Sequence, residues 1–74
     1  MQNEKTPPLT PADLARQLHL MGLSDREVSQ RVGCSVSCVN RIRRGENEPK
    51  WGVYDGLKRL HKERLEYVRK ELGL

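Results

Sequence analysis

The stretch from Leu23 to Gly45 constrains this chain most, because its small residues fall at fixed intervals between aliphatic ones. Ser24 is followed three residues later by Glu27, a capping box in which Ser24 caps a helix and Glu27 reaches back. Leu23 just before the cap and Val28 four residues after it have the spacing of a hydrophobic staple. Val28 and Val32 give this short helix its buried side, and Gly33 ends it with an expected positive φ. Ser35 then caps a further helix over about Val36–Arg44. Val39 and Ile42 point inward; Val36, Ser37, Asn40, Arg41 and Arg44 are left on the other side. Gly45 closes the helix, which starts in small polar residues and ends in Arg41, Arg43 and Arg44.

The flanks also read as helical. Thr10 can cap, Pro11 suits the first helical position, and Asp13 sits in the positive first turn. Leu14, Leu18 and Met21, with Ala15 alongside, give one apolar face to a helix over about Pro11–Met21, and Gly22 stops it. After the loop Glu46-Asn47-Glu48, Pro49 opens another helix, with Val53, Leu57 and Leu60 at helical spacing. Leu65, Val68 and Leu72 continue at helical spacing, but Leu60 plus four is Arg64, not Leu65. The region from about Lys50 to Glu71 therefore turns its apolar face or breaks near His61. The expectation is an all-α domain of four or five helices: residues 1–9 a disordered arm, 10–61 the core domain, and 62–74 a C-terminal helical extension.

Composition sets limits on function. A chain of 74 residues, with 35% hydrophobic residues and no Phe, has room for one small core. The net charge of +4 fits a polyanionic partner, though many solvated domains are equally basic. Cys34 and Cys38 lie four apart, where a disulfide would close too short a loop to gain much. A zinc site needs two more ligands, and His19 and His61 lack paired spacing, so neither metal nor cofactor is expected. Both thiols read as reduced and structural, Cys38 as a small buried residue and Cys34 in the turn. No run approaches the roughly 20 apolar residues of a membrane span, and the polar N-terminus has no apolar signal region. The default location is therefore cytoplasmic, with no membrane partner and no small-molecule ligand.

The stretch from Leu23 to Gly45 resembles the helix-turn-helix of the Cro and phage-repressor family. Gly33 matches the turn glycine, Val39 the buried aliphatic anchor, and Ile42, Arg44-Gly45 and a following Pro also match. The likeness extends by pattern from Leu14 to about Leu60. It implies a lambda-repressor-like fold in which one helix crosses the DNA backbone and the next enters the major groove. By the same likeness Ser35, Val36, Ser37, Asn40 and Arg41 occupy base-reading positions. Their chemistry agrees: Arg41 suits guanine O6 and N7, Asn40 suits adenine, and Val36 suits a thymine methyl unless it forms a core edge. Arg26, Arg43, Arg44 and Lys50 suit phosphates, which position without reading sequence. Arg16 and Arg31 read as solvated surface, and Trp51 as core packing beside Pro49. Two positions depart from the family. Asp25 stands where Gln often meets a phosphate, and cannot donate. Ser29 stands where Ala is common, and fits if its hydroxyl bonds back to the helix.

The implied function is a sequence-specific transcriptional regulator of phage or bacterial type, a repressor on the nucleoid of a bacterial host. Its partners would be double-stranded DNA with a palindromic operator and a second copy of the chain. The Leu65, Val68 and Leu72 stripe either folds back onto the first helix or packs against that copy; the second is preferred. Two rivals remain. One is the DNA-binding part of a recombinase or transposase, although no catalytic constellation is present and an enzyme is not expected. The other is a protein-interaction module, which the three arginines of the Arg41–Arg44 segment disfavour.

Overall fold

Three local caps set three helix starts. The computed structural model describes residues 9–46 and 49–73. These form four helices, α1 (Pro11–Leu20), α2 (Asp25–Val32), α3 (Val36–Arg43) and α4 (Trp51–Leu72), and no strand among the described residues. Thr10 and Asp13 cap α1 reciprocally, Asp13 N–H to Thr10 Oγ1 at 3.1 Å and Thr10 N–H to Asp13 Oδ2 at 3.3 Å. Ser24 and Glu27 do the same for α2, at 3.1 and 2.9 Å. Ser35 Oγ accepts the Cys38 N–H at 3.0 Å to start α3. Each bond satisfies a backbone donor that the helix geometry leaves without a partner.

The turn between α2 and α3 depends on Gly33, which takes φ +88°. That left-handed conformation costs an L side chain energy and glycine almost nothing. It lets the Gly33 and Cys34 N–H groups both reach Ser29 O, at 2.8 and 3.1 Å, so α2 closes and α3 leaves in three residues. Ser29 itself is buried, and its hydroxyl donates back to Arg26 O at 2.7 Å, the bond expected of a serine at this crossing.

Leu14, Ala15, Leu18, Leu23, Val28, Val39, Ile42, Leu57 and Leu60 form one buried core drawn from all four helices and the Leu23 staple position. Gly56 brings α4 close to α2: a Cβ there would lie 3.2 Å from Val32 Cγ1. Tyr54 ties α4 to the start of the described chain, its hydroxyl donating to Leu9 O at 2.8 Å. The expected disordered arm, but for Leu9, lies outside the described residues, as do Asn47 and Glu48 of the expected loop.

Several expectations are corrected. Pro49 does not open α4; Lys50 is its cap, and Trp51 its first residue. Trp51 is 83% exposed rather than packed in the core. At about 100° per residue, Trp51 falls on the side of α4 opposite the Val53, Leu57 and Leu60 face. Cys38 is half-buried rather than buried. Near His61 the helix does not break: α4 runs unbroken for 22 residues. Its apolar face turns instead, the Leu65, Val68 and Leu72 stripe lying roughly a quarter turn from the Leu57 and Leu60 line.

Arg64 explains why the turn of face is tolerated. It sits where the first stripe would place an aliphatic residue. Its Nε and Nη2 donate to Met21 O at 3.0 and 2.9 Å, closing the end of α1. The guanidinium also lies 4.6 Å from the centre of the Tyr67 ring. A long side chain thus covers apolar surface with its stem and satisfies a helix-end carbonyl with its head.

Candidate nucleic-acid interface

The position of α3 is fixed from behind. Val39 and Ile42 are each 1% exposed, and the turn at Gly33 clamps the front of the helix. A cation at the back adds to this: Arg16 Nε donates to Arg43 O at 3.0 Å, meeting the negative end of α3. What α3 cannot bury, it presents. Val36, Ser37, Asn40, Arg41 and Arg44, joined by Glu46, line an open depression of about 310 Å³. Val36 is 46% exposed, so it is a surface residue and not a core edge.

The candidate residues divide into three groups. Ser37 and Arg41 are exposed on the α3 face. Neither Arg41 nor the exposed Arg26 and Lys50 has a side-chain ion-pair or hydrogen-bond partner among the described residues. Ser35 is exposed, but its oxygen is engaged as the α3 cap. Asn40, Arg43 and Arg44 belong to a polar network.

That network centres on Asp25. Its Oδ1 accepts from Arg43 Nε at 3.1 Å, and its Oδ2 from Arg43 Nη2 at 2.9 Å and from Asn40 Nδ2 at 3.3 Å. The fork-to-fork geometry with Arg43 is the strong form of an ion pair. Both side chains are largely covered, Arg43 27% and Asp25 17% exposed. The Arg43 hydrogen bonds hold the Asp25 carboxyl below its usual range against the opposing effect of burial, and Asn40 adds to the lowering. Asp25 in turn raises Arg43. Beyond Asn40, its Oδ1 accepts from Arg44 Nη1 at 3.1 Å, and Arg44 Nε donates to Glu46 Oε2 at 3.1 Å.

Arg43, expected at a phosphate, therefore turns toward α2 and is neutralised there. The residue that the sequence reading passed over is Asp25, which appears there only as a departure from a family pattern. Its partner stands 18 positions away, and no periodicity links the two. Arg16 is exposed, as expected, and its Nε also bonds to α3.

Among the described residues no group of three or more His, Cys, Asp or Glu could hold a metal ion. Burial, and then the neighbouring Cys38, pushes the Cys34 thiol up to about 11, so it stays protonated at neutral pH. A second depression of about 310 Å³, between α2 and α4, mixes Arg31, Glu63 and Arg64 with Leu23, Leu60 and Tyr67. No described helix is long and apolar enough to cross a membrane.

In comparisons with protein-family models, curated protein sequences and solved structures, no match to the chain was found.

Proposed function

We propose that the chain is a sequence-specific double-stranded DNA-binding regulator that reads the major groove with α3. One observation carries the reading. A short helix, anchored by Val39 and Ile42 and led by a tight turn, sets Val36, Ser37, Asn40, Arg41 and Arg44 on a single open face. A B-DNA major groove admits one α-helix, and these side chains supply what base edges and phosphates require. Arg41 offers two of its five N–H donors to guanine O6 and N7, Val36 offers an apolar contact, and Arg26 and Lys50 offer charge to phosphates.

In this reading the chain acts as a homodimer on a palindromic operator, in the cytoplasm of a bacterial cell, with no cofactor. The support is the tail of α4, where Leu65 is 39% and Leu72 66% exposed. A twofold pair would set two copies of α3 about one helical turn of DNA apart.

Selection of bound duplexes from a random library, followed by titrations at several salt concentrations, tests the proposal. The expected result is one enriched site, with half-sites roughly 10 base pairs apart and binding that weakens steeply with salt. A library that emerges unenriched, or binding indifferent to salt, would overturn it.

A further inference from the structure

The Asn40 carboxamide is held between two groups of opposite hydrogen-bonding character. Its Nδ2 donates to Asp25 Oδ2 at 3.3 Å, and its Oδ1 accepts from Arg44 Nη1 at 3.1 Å. A carboxylate only accepts, and a guanidinium only donates. Turning the amide over would face Oδ1 to the carboxylate and the NH2 group to the guanidinium, and both bonds would be lost. The orientation is therefore dictated by chemistry. Asp25 is itself locked, because Arg43 takes both of its oxygens.

We infer that Asp25 is a positioning residue for base recognition: by holding Nδ2 of Asn40, it fixes which way the carboxamide faces and so which base edge Asn40 accepts. The inference rests on the DNA-reading role proposed for α3. An amide free to flip presents its donor and acceptor in either order, and suits more than one base edge. A held amide presents one order. After Asp25 and Arg44 are served, Asn40 keeps one N–H and one oxygen lone pair. Adenine offers their complement in the major groove, an acceptor at N7 beside a donor at N6. Asp25 touches no base in this scheme; it acts through Asn40.

The test is a base-pair substitution profile on the selected duplex, measured by competition for the intact chain and for Asp25→Ala, Asn40→Ala and the double variant. Asp25→Ala removes a negative charge, so affinity for random duplex is expected to hold or rise. Discrimination at one base pair should fall about 5-fold or more, the range of a bidentate contact. Asn40→Ala should lose discrimination at the same pair, and adding Asp25→Ala should change nothing more there. Asp25→Asn keeps the volume but has one oxygen for three N–H donors, so it should flatten the same pair; it serves if the alanine variant does not fold. A folded Asp25→Asn with an unchanged profile overturns the inference, as does flattening spread over all pairs or persisting without Asn40. An intact chain with no base preference at all overturns the DNA-reading role itself, which separates the two failures.

Discussion

The α2–turn–α3 unit and α4 solve the same problem by different means. The two short helices, eight residues each, are defined by their ends: a reciprocal box at Ser24 and Glu27, a left-handed Gly33, and a cap at Ser35. The long helix has no side-chain cap at Lys50 and no acidic residue in its first turn. It is held along its length instead, by Tyr54 to Leu9, His61 to Gln17 at 2.7 Å, and Arg64 to Met21. Short helices need end signals because nucleation is costly and few internal bonds offset it. A helix of 22 residues has enough lateral contacts to do without a side-chain cap at its start, and only its far end is closed by a signal of its own, Gly73 at φ +75°. In the proposed DNA-reading role, the unit with strong ends is also the one that aims its side chains, whereas α4 supports it.

The comparison breaks first if α4 is uniform along its length. Leu57 is fully buried, and Leu57→Ala should cost about 2–5 kcal/mol, as for a core truncation. Leu65→Ala, in the exposed second stripe, should cost less than about 1 kcal/mol in the isolated chain. Urea unfolding of both variants measures the difference. Equal losses would mean that the tail of α4 is as much core as its first half.

Gly33→Val comes next. Nothing lies within 4 Å of a Cβ at Gly33, so the Cβ itself meets open space and the expected effect comes from φ +88°. The expected loss is about 1–3 kcal/mol, which in a domain of this size lowers Tm by roughly 4–8 °C per kcal/mol. An unchanged Tm would show that the turn does not hold the left-handed conformation.

These end signals are also what made the fold legible in the sequence. Ser24, Glu27, Gly33 and Ser35 act within four residues of themselves, so order in the chain is order in space. Val39 and Ile42 were readable because helical period alone assigns their face. Trp51 was not, since proximity to Pro49 says nothing about which side of α4 a residue occupies, and the helix began two residues later than its proline suggested. The Asp25–Arg43 pair was hidden for a different reason. Long side chains choose partners after helices have packed, and no period in the sequence links a residue at the start of α2 to one at the end of α3. Arg64 was the subtlest case: its charge concealed its place in the line of Leu57 and Leu60.

Arg64→Met tests that last point. Met keeps an apolar stem but removes both donors to Met21 O. A loss of about 1–2 kcal/mol is expected, the scale of a charge-assisted hydrogen bond in a half-covered site. A stabilised variant would show that the arginine interrupts the stripe without closing α1.

The polar network at α3 has an acid limit. The folded-state pKa of Asp25 lies below its unfolded value, so its contribution to stability is present above about pH 4 and is lost as pH falls through the folded-state value. Glu27, lowered by its Ser24 backbone hydrogen bond, titrates in the same sense. Asp25→Asn should therefore make the fall in stability between about pH 5 and pH 2 shallower without abolishing it. Identical acid slopes would mean that Arg43 leaves Asp25 in solution.

Gly52→Ala should have the smallest effect and the opposite sign. Gly52 resembles Gly33 in one respect, since nothing lies within 4 Å of a Cβ at either position. They differ in backbone: Gly52 sits in the first turn of α4 and is not among the glycines with positive φ. Alanine there removes freedom from the unfolded chain and adds helix propensity, for a gain of about 0.5–1 kcal/mol. The gain should fall at the low end of that range, because first-turn residues have fewer helical bonds to secure. Thermal unfolding of Gly52→Ala beside Gly33→Ala makes the pair a controlled comparison, in which the same methyl enters the same open space on two backbones. A rise in Tm at Gly52 with a fall at Gly33 would assign both effects to φ. A fall at both would mean that the uncapped first turn of α4 is not helical in solution, and that lateral contacts from Tyr54 onward, rather than its own start, are what form the helix.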